Sequence, residues 1–280
     1  MPKKTKSNCY RVITPEAKIN LAACFVTLWY YRELIYTLFI REIKIRYKQT
    51  VLGVAWAVAQ PTSLTLLFSI IFGKFARIPT EGIPYPIFAY SALLPWTFFA
   101  TAISFAIPSL VRERHLIMKV YFPREIAPLA SVLAAGVDFS VAAIVFIIMI
   151  LFYRISITIY ILWVFPLLII QILFTLGISL FFCSINARYR DVRYAIPLLV
   201  QLWMFATPIF YPISVIPNRY RMIYMLNPMA GIIDGYRRVI IRGIRPELRY
   251  MLLSSVVSIV IFLLAYRYFK RSESEFMDVI

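Results

Sequence analysis

The sequence holds a single histidine, His115, and three cysteines, Cys9, Cys24 and Cys183, that share no CxxC spacing. Neither a metal site nor a disulfide framework is supported by that set. Acids are scarce: 13 aspartates and glutamates stand against 30 lysines and arginines. No GxxxxGK[ST] phosphate loop occurs, so the chain does not hydrolyse nucleotide by that route. The GxSxG and HExxH patterns of hydrolases and zinc proteases are also missing. Away from the apolar runs and the basic borders, Glu81, Asp234 and Glu247 are too scattered for the paired carboxylates of glycoside chemistry. Charge as a whole is low, 15% of residues, against about 25% in soluble chains. The first 20 residues lack the short apolar region and cleavage site of a secretory signal, so the first span is expected to stay in the mature protein.

What fills the chain is apolar, 61% of its residues. The organising stretch is REIKIRYKQTVLGVAWAVAQP, Arg41 to Pro61. Its basic patch of Arg41, Lys44, Arg46 and Lys48 gives way to 23 uncharged residues, Val51 to Gly73. A bilayer core of about 30 Å needs roughly 20 helical residues. Runs of that order occur at 51–73, 85–107, 126–152, 156–185, 194–213 and 249–267, which predicts an all-α integral membrane protein with six transmembrane helices. An even number puts both termini on one side. Segments on that side carry 20 basic residues and those opposite carry 10, which points to cytoplasmic termini. The net charge of +17 is thus read as border charge touching anionic lipid rather than as a nucleic-acid surface.

Between the runs, four segments stand out. Residues 32–48 fit an amphipathic interface helix, with Ile35, Tyr36, Phe39, Ile40, Ile43 and Tyr47 on one face and Glu33, Thr37, Arg41, Lys44 and Lys48 opposite. Leu34, Leu38 and Ile45 break that pattern. Residues 108–125, bracketed by Pro108 and Pro123, mix charged and apolar groups and read equally as a partner-facing helix or a solvated connector. Residues 208–247 are too broken by proline for one helix; Asn227 before Pro228 is a helix start and Gly243 a stop, so two short helices are expected, a candidate lining for a pathway. Asp138 sits mid-span, where an acid costs about 2.5–3.5 kcal/mol unless it faces protein or water. A hydrogen bond between helices and a part in handling protons or substrate are its two readings. Pro61, among Gln60, Thr62, Ser63 and Thr65, predicts a kinked, polar-centred first span.

Four stretches carry a resemblance: REIKIRYKQTVLGVAWAVAQP, LLPWTFFATAISFAIPSLVRERHLIMKVYFPRE, NARYRDVRYAIPLLVQLWMFATPIFYP and NPMAGIIDGYRRVI. In this order and spacing, across roughly residues 30–245, the chain resembles the permease subunits of ABC exporters for bacterial surface polysaccharide: O-antigen, capsule or teichoic acid. The resemblance implies a cytoplasmic lead (1–31), the interface helix (32–48), a permease domain (49–267) and a cytoplasmic tail (268–280). It makes 108–125 a coupling loop and 208–247 an outer re-entrant segment. It implies a homodimer in the bacterial inner membrane, joined by two copies of a P-loop ATPase that binds the ATP and Mg this chain does not, with a polysaccharide on undecaprenyl diphosphate as substrate and no enzyme activity of its own.

ATPase coupling is then expected from Arg112, Glu113, Arg114, His115, Leu116 and Lys119. A lipid-diphosphate port is expected at Arg41, Lys44, Arg46 and Lys48, since both residue types suit phosphate. Channel lining is expected from Trp56, Gln60, Phe68, Phe72, Trp203, Phe205, Phe210 and Tyr211, with plain packing as the alternative for each ring. O-antigen is the leading substrate. Capsule, teichoic acid, or a small molecule or lipid are alternatives, and a membrane glycan-modifying enzyme is the rival from another class.

Overall fold

The computed structural model describes residues 21–273 and 276, apart from 49, 51, 52, 81 and 121. Most of the expected lead and part of the tail lie outside the described residues. Among the described residues there is no strand. Five helical segments are long and apolar enough to cross a membrane. These are α3 (Ala55–Phe68) with its continuation through Phe75, α4 (Tyr85–Ala106), α7 (Ile126–Phe152), α8 (Val164–Arg188) with the turn that precedes it, and α12 (Leu248–Ser272). At 1.5 Å per residue, the 22 residues of α4 reach about 33 Å, matching a hydrocarbon core of about 30 Å.

The expected run at 194–213 is shorter as a helix. Here α9 (Val192–Phe205) has 14 residues, about 21 Å. Residues 206–212 leave helical geometry where Pro208 and Pro212 interrupt the chain. Pro61 does not end α3, which runs on to Phe68 and then widens into a π-helical turn, Ser69–Phe75. Hydroxyls cover carbonyls near that proline: Thr65 donates to the Pro61 carbonyl at 2.7 Å, and Ser63 to that of Ala59 at 2.6 Å.

The central helix is α4, most of which is buried. It is flanked by α3, α7, α8 and α9. On α8, Gly177 lets α12 approach to backbone contact, since a Cβ there would sit 2.9 Å from the Phe262 Cα. Ile144, Ile147, Ile148 and Leu151 on α7, and Leu252, Val256, Ile259 and Leu263 on α12, are exposed at helical spacing. These stripes are apolar surface that the bundle turns outward.

The bundle has two distinct ends. At one, α10 (Asn218–Tyr224) and α11 (Pro228–Tyr236) follow the broken loop after α9. The Asn227 side chain caps α11 by accepting from the Met229 N–H at 3.2 Å, with Pro228 in the first turn. The helical stretch continues through Ile241 and ends before Gly243, whose φ of +61° is open to glycine. All nine residues of α11 are buried, so this is an inserted helix and not a surface one. At the other end α4 leads into α5 (Ser109–Arg112) and α6 (Arg114–Lys119), and α2 (Arg32–Tyr47) packs across α7 beside them, preceded by α1 (Leu21–Tyr30).

The buried face of α2 differs from the amphipathic expectation. Leu38, one of the pattern breakers, is buried together with Glu42, whereas Tyr36 is exposed. Glu42 can be buried because a cation from another element meets it, so apolar side chains are free to face outward.

Candidate ion-pair junction and membrane cavity

The site is built where α2 crosses α5–α6 and α7. Leu38, Glu42 and Arg46 repeat every four residues and so share one face of the helix. Glu42 accepts from Arg112 of α5, and Arg41 pairs with Glu113 at the α5–α6 junction. One turn on, Arg46 donates to Asp138 Oδ2 at 2.5 Å and to the Ser131 carbonyl at 3.1 Å. Its guanidinium carbon lies 3.9 Å from the centre of the Phe105 ring, a cation–π contact. The Tyr47 hydroxyl donates to Asp138 Oδ1. Burial, then the neighbouring Asp138, push the Tyr47 phenol well above its ordinary range, so it stays protonated and keeps its donor.

Asp138 is the mid-span acid that needed a partner. It lies twelve residues into α7, about 18 Å along the axis. The end of α2 reaches that depth and supplies both a cation and a hydroxyl. This is the helix-to-helix role for Asp138, made with α2 instead of through the small residues flanking it. A buried pair of this kind is costly to break from one side, because the remaining charge is left without a partner.

The residues expected to face an ATPase divide into two groups. Arg112 and Glu113 turn inward to α2, Glu113 being buried. Each has an opposite charge inside the chain. Arg114, His115 and Lys119 are exposed, and so is Met118 between them. Leu116 is half-buried, and Ile117 anchors α6 in a cluster with Leu38, Leu110 and Phe122. Of the expected port, Lys44 and Lys48 are exposed while Arg46 is turned in and Arg41 half-covered.

The expected channel-lining rings also divide. Phe68, Phe72 and Phe210 stack on one another, with centroids 4.2 Å apart for Phe68–Phe210 and 5.4 Å for Phe72–Phe210. Trp203 packs edge-on against Phe99 at 5.3 Å and Phe174 at 5.8 Å. Tyr211 shares a hydrogen bond of 2.7 Å with the Tyr224 hydroxyl. Phe68 and Phe210 are buried by these contacts, and Phe72, Trp203 and Tyr211 are half-buried. Trp56, Gln60 and Phe205 remain exposed.

Beside the Arg46–Asp138 pair, the ends and faces of α2, α3, α4 and α7 line a cavity of about 210 Å³ that is open on one side. Trp56 and Gln60 are on its wall, with Thr97 and Thr101 from α4. The two threonines were not among the sequence candidates, since a threonine inside an apolar run gives no signal of its own.

At the opposite end Arg237, directly after α11, is buried. It donates to the carbonyls of Pro208 and Ile209, each at 2.5 Å, and of Tyr211 and Phe88, each at 3.3 Å. Its guanidinium carbon stands 3.6 Å from the Phe88 ring centre. The neighbouring Arg238 lies between Asp234 at 2.8 Å and Glu247 at 2.9 Å. Arg237 and Arg238 thus hold this end together.

Residues 33–241 match the ABC-2 type transporter family. The chain belongs to that family. Among curated relatives of this ABC-2 transporter, the O-antigen export system permease protein RfbA of Myxococcus xanthus is 30% identical over 257 residues, 90% of this chain and 97% of the relative. The protein of the same name from Klebsiella pneumoniae is 30% identical over 217 residues, 77% of this chain and 83% of the relative. The polysialic acid transport protein KpsM of Escherichia coli is 24% identical over 241 residues, 82% and 91% respectively. Membership makes the chain a multi-pass membrane permease and not itself an enzyme. It also accounts for a chain without a phosphate loop, since the ATPase of such a transporter is a partner.

Proposed function

We propose that this ABC-2 permease moves a polysaccharide of the O-antigen class, linked to undecaprenyl diphosphate, across the bacterial inner membrane. Its end-to-end similarity to RfbA carries the reading. Two copies form the conduit, each with six crossings, α9 and the loop after it making up the fifth. The exposed faces of α3 and α9, including Phe205, meet across the dimer. Both termini are cytoplasmic, as the excess of basic residues on that side indicates. The α5–α6 end is then inner, and α10–α11 re-enter the membrane from outside.

Two ATPase subunits, which bind ATP and Mg, seat the exposed face of α6: Arg114, His115 and Lys119. Their movement passes to α2 through Arg112–Glu42 and Arg41–Glu113. Lys44 and Lys48 draw the diphosphate to the membrane border by charge, and Arg46 stands behind them. The glycan follows as a sliding chain.

The test is complementation of a strain lacking its own O-antigen permease, with the cognate ATPase supplied. Surface glycan should return with this chain and fail to return with Arg114→Glu at equal protein level. Lipid-linked glycan that stays inside with both versions contradicts the proposal. The KpsM similarity favours a second reading, capsule export, which the same assay separates when the strain supplies a capsular glycan in place of O-antigen.

A further inference from the structure

The cavity beside Arg46 has a composition that membrane packing does not explain. Polar groups in the bilayer interior are costly without partners. The Gln60 amide, at an exposed position, and the half-buried Thr101 hydroxyl, both on the wall, have no hydrogen-bond partner among the described residues. Thr97 turns its hydroxyl to its own helix, on the Leu94 carbonyl at 3.0 Å. Around them stand aromatic surfaces, Trp56 and Phe139, and at one side the Asp138 carboxylate with Arg46 and Tyr47. An aromatic face, an unpaired amide, an unpaired hydroxyl and a carboxylate together match a pyranose ring, which has C–H faces and a rim of hydroxyls. Convergent polar groups in an otherwise apolar cavity are the usual form of a small-ligand site.

We infer that this cavity holds the one sugar joined directly to the diphosphate of the lipid-linked substrate. The inference rests on the export reading above and adds to it which part of the substrate is recognised. At about 210 Å³ the cavity is smaller than the roughly 300–1,000 Å³ of sites for drug-sized ligands, so it admits a ring and not a chain. Gln60 and Thr101 bond to ring hydroxyls, and Trp56 covers a C–H face. Arg46, held by Asp138, is placed against the diphosphate that follows the ring, with Lys44 and Lys48 nearer the border. Recognition confined to the first sugar leaves the rest of the glycan uninspected, as a conduit for long repeating chains requires.

The test uses the full chain with its ATPase partner in lipid nanodiscs and two probes: undecaprenyl diphosphate carrying one hexosamine, and the same lipid without sugar. The half-saturating concentration of each is read by direct binding. The unsubstituted protein should prefer the sugar-bearing lipid by about tenfold, the value of one net hydrogen-bond contribution near 1.4 kcal/mol. Gln60→Leu with Thr101→Val should bring the ratio to about one. Thr101→Val alone, close to isosteric, should lower the ratio part-way and guards against misfolding of the double variant. A ratio that holds in both variants overturns the inference, including the case in which both affinities fall together. Failure of the unsubstituted protein to bind either lipid overturns the export reading itself, whereas equal binding of both by that protein overturns only the sugar site.

Discussion

Arg237 at one end of the bundle and three arginines at the other are held by different means, although Arg238 beside Arg237 also pairs with carboxylates. At the α10–α11 end, Arg237 is bonded to four backbone carbonyls from α4 and the broken loop. Those acceptors are fixed to the chain and none is a carboxylate, so the guanidinium acts as a pin for loop and helix. At the α5–α6 end, Arg112, Arg41 and Arg46 each pair with a carboxylate from a different element. A side-chain pair can separate and re-form as elements shift, or exchange its carboxylate for a phosphate; a nest of carbonyls cannot. The comparison teaches which end is frame and which is joint, and the joint is the end proposed to meet the ATPase.

The largest effect is expected at the pin. Arg237→Met leaves the loop carbonyls of Pro208, Ile209 and Tyr211 without that donor and should lower stability by about 3 kcal/mol or more. Arg237→Lys, which lacks the planar fork, should recover only part of it. Thermal unfolding in detergent measures both, and a normal transition for Arg237→Met would remove the distinction between the ends.

Next comes the joint. Asp138→Asn strips the charge partner from buried Arg46 and should cost about 3 kcal/mol. Arg46→Met with Asp138→Leu should regain most of that stability, since a well-packed apolar pair can replace a buried ion pair. It should nonetheless fail to export, and export by that folded double variant would make the pair a structural tie alone.

A third contrast separates packed rings from exposed ones. Trp203→Ala should destabilise by about 2 kcal/mol, below the cost for a fully buried ring because Trp203 is half-buried, by opening a hole against Phe99 and Phe174. Phe205→Ala, at an exposed position, should change stability by less than about 0.5 kcal/mol while slowing export. The smallest effect on stability is expected at Lys119→Glu, again within about 0.5 kcal/mol, with export reduced by loss of ATPase seating. Co-purification with the ATPase reads that loss directly.

Much of this was legible in the chain itself. Five long helices follow from charge-free runs of the right length, and the start and stop of α11 from Asn227, Pro228 and Gly243. Pairings across the fold were not. Asp138 declared its need for a partner, but nothing in the sequence singles out Arg46, 92 residues away, from the other basic residues at the border. The α2 wheel misplaced the buried face because Glu42 counts as polar until Arg112 is beside it. The aromatic run TPIFYP looked like channel wall, and only three-dimensional proximity shows Phe210 closed in by Phe68 and Phe72. Arg237 carried still less signal, since its acceptors are carbonyls, which every residue has.

The most direct test of the joint is a charge exchange between α5 and α2. Arg112→Glu and Glu42→Arg should each abolish export while the ATPase still turns over, and the two combined should restore export, because the opposite charges then meet in reverse. Export is measured as ATP-dependent arrival of glycan across the membrane of proteoliposomes, at matched protein level. Restoration by the exchange supports a link that passes movement from the ATPase to α2. A folded double variant as silent as the single ones, or single variants that export normally, would contradict it.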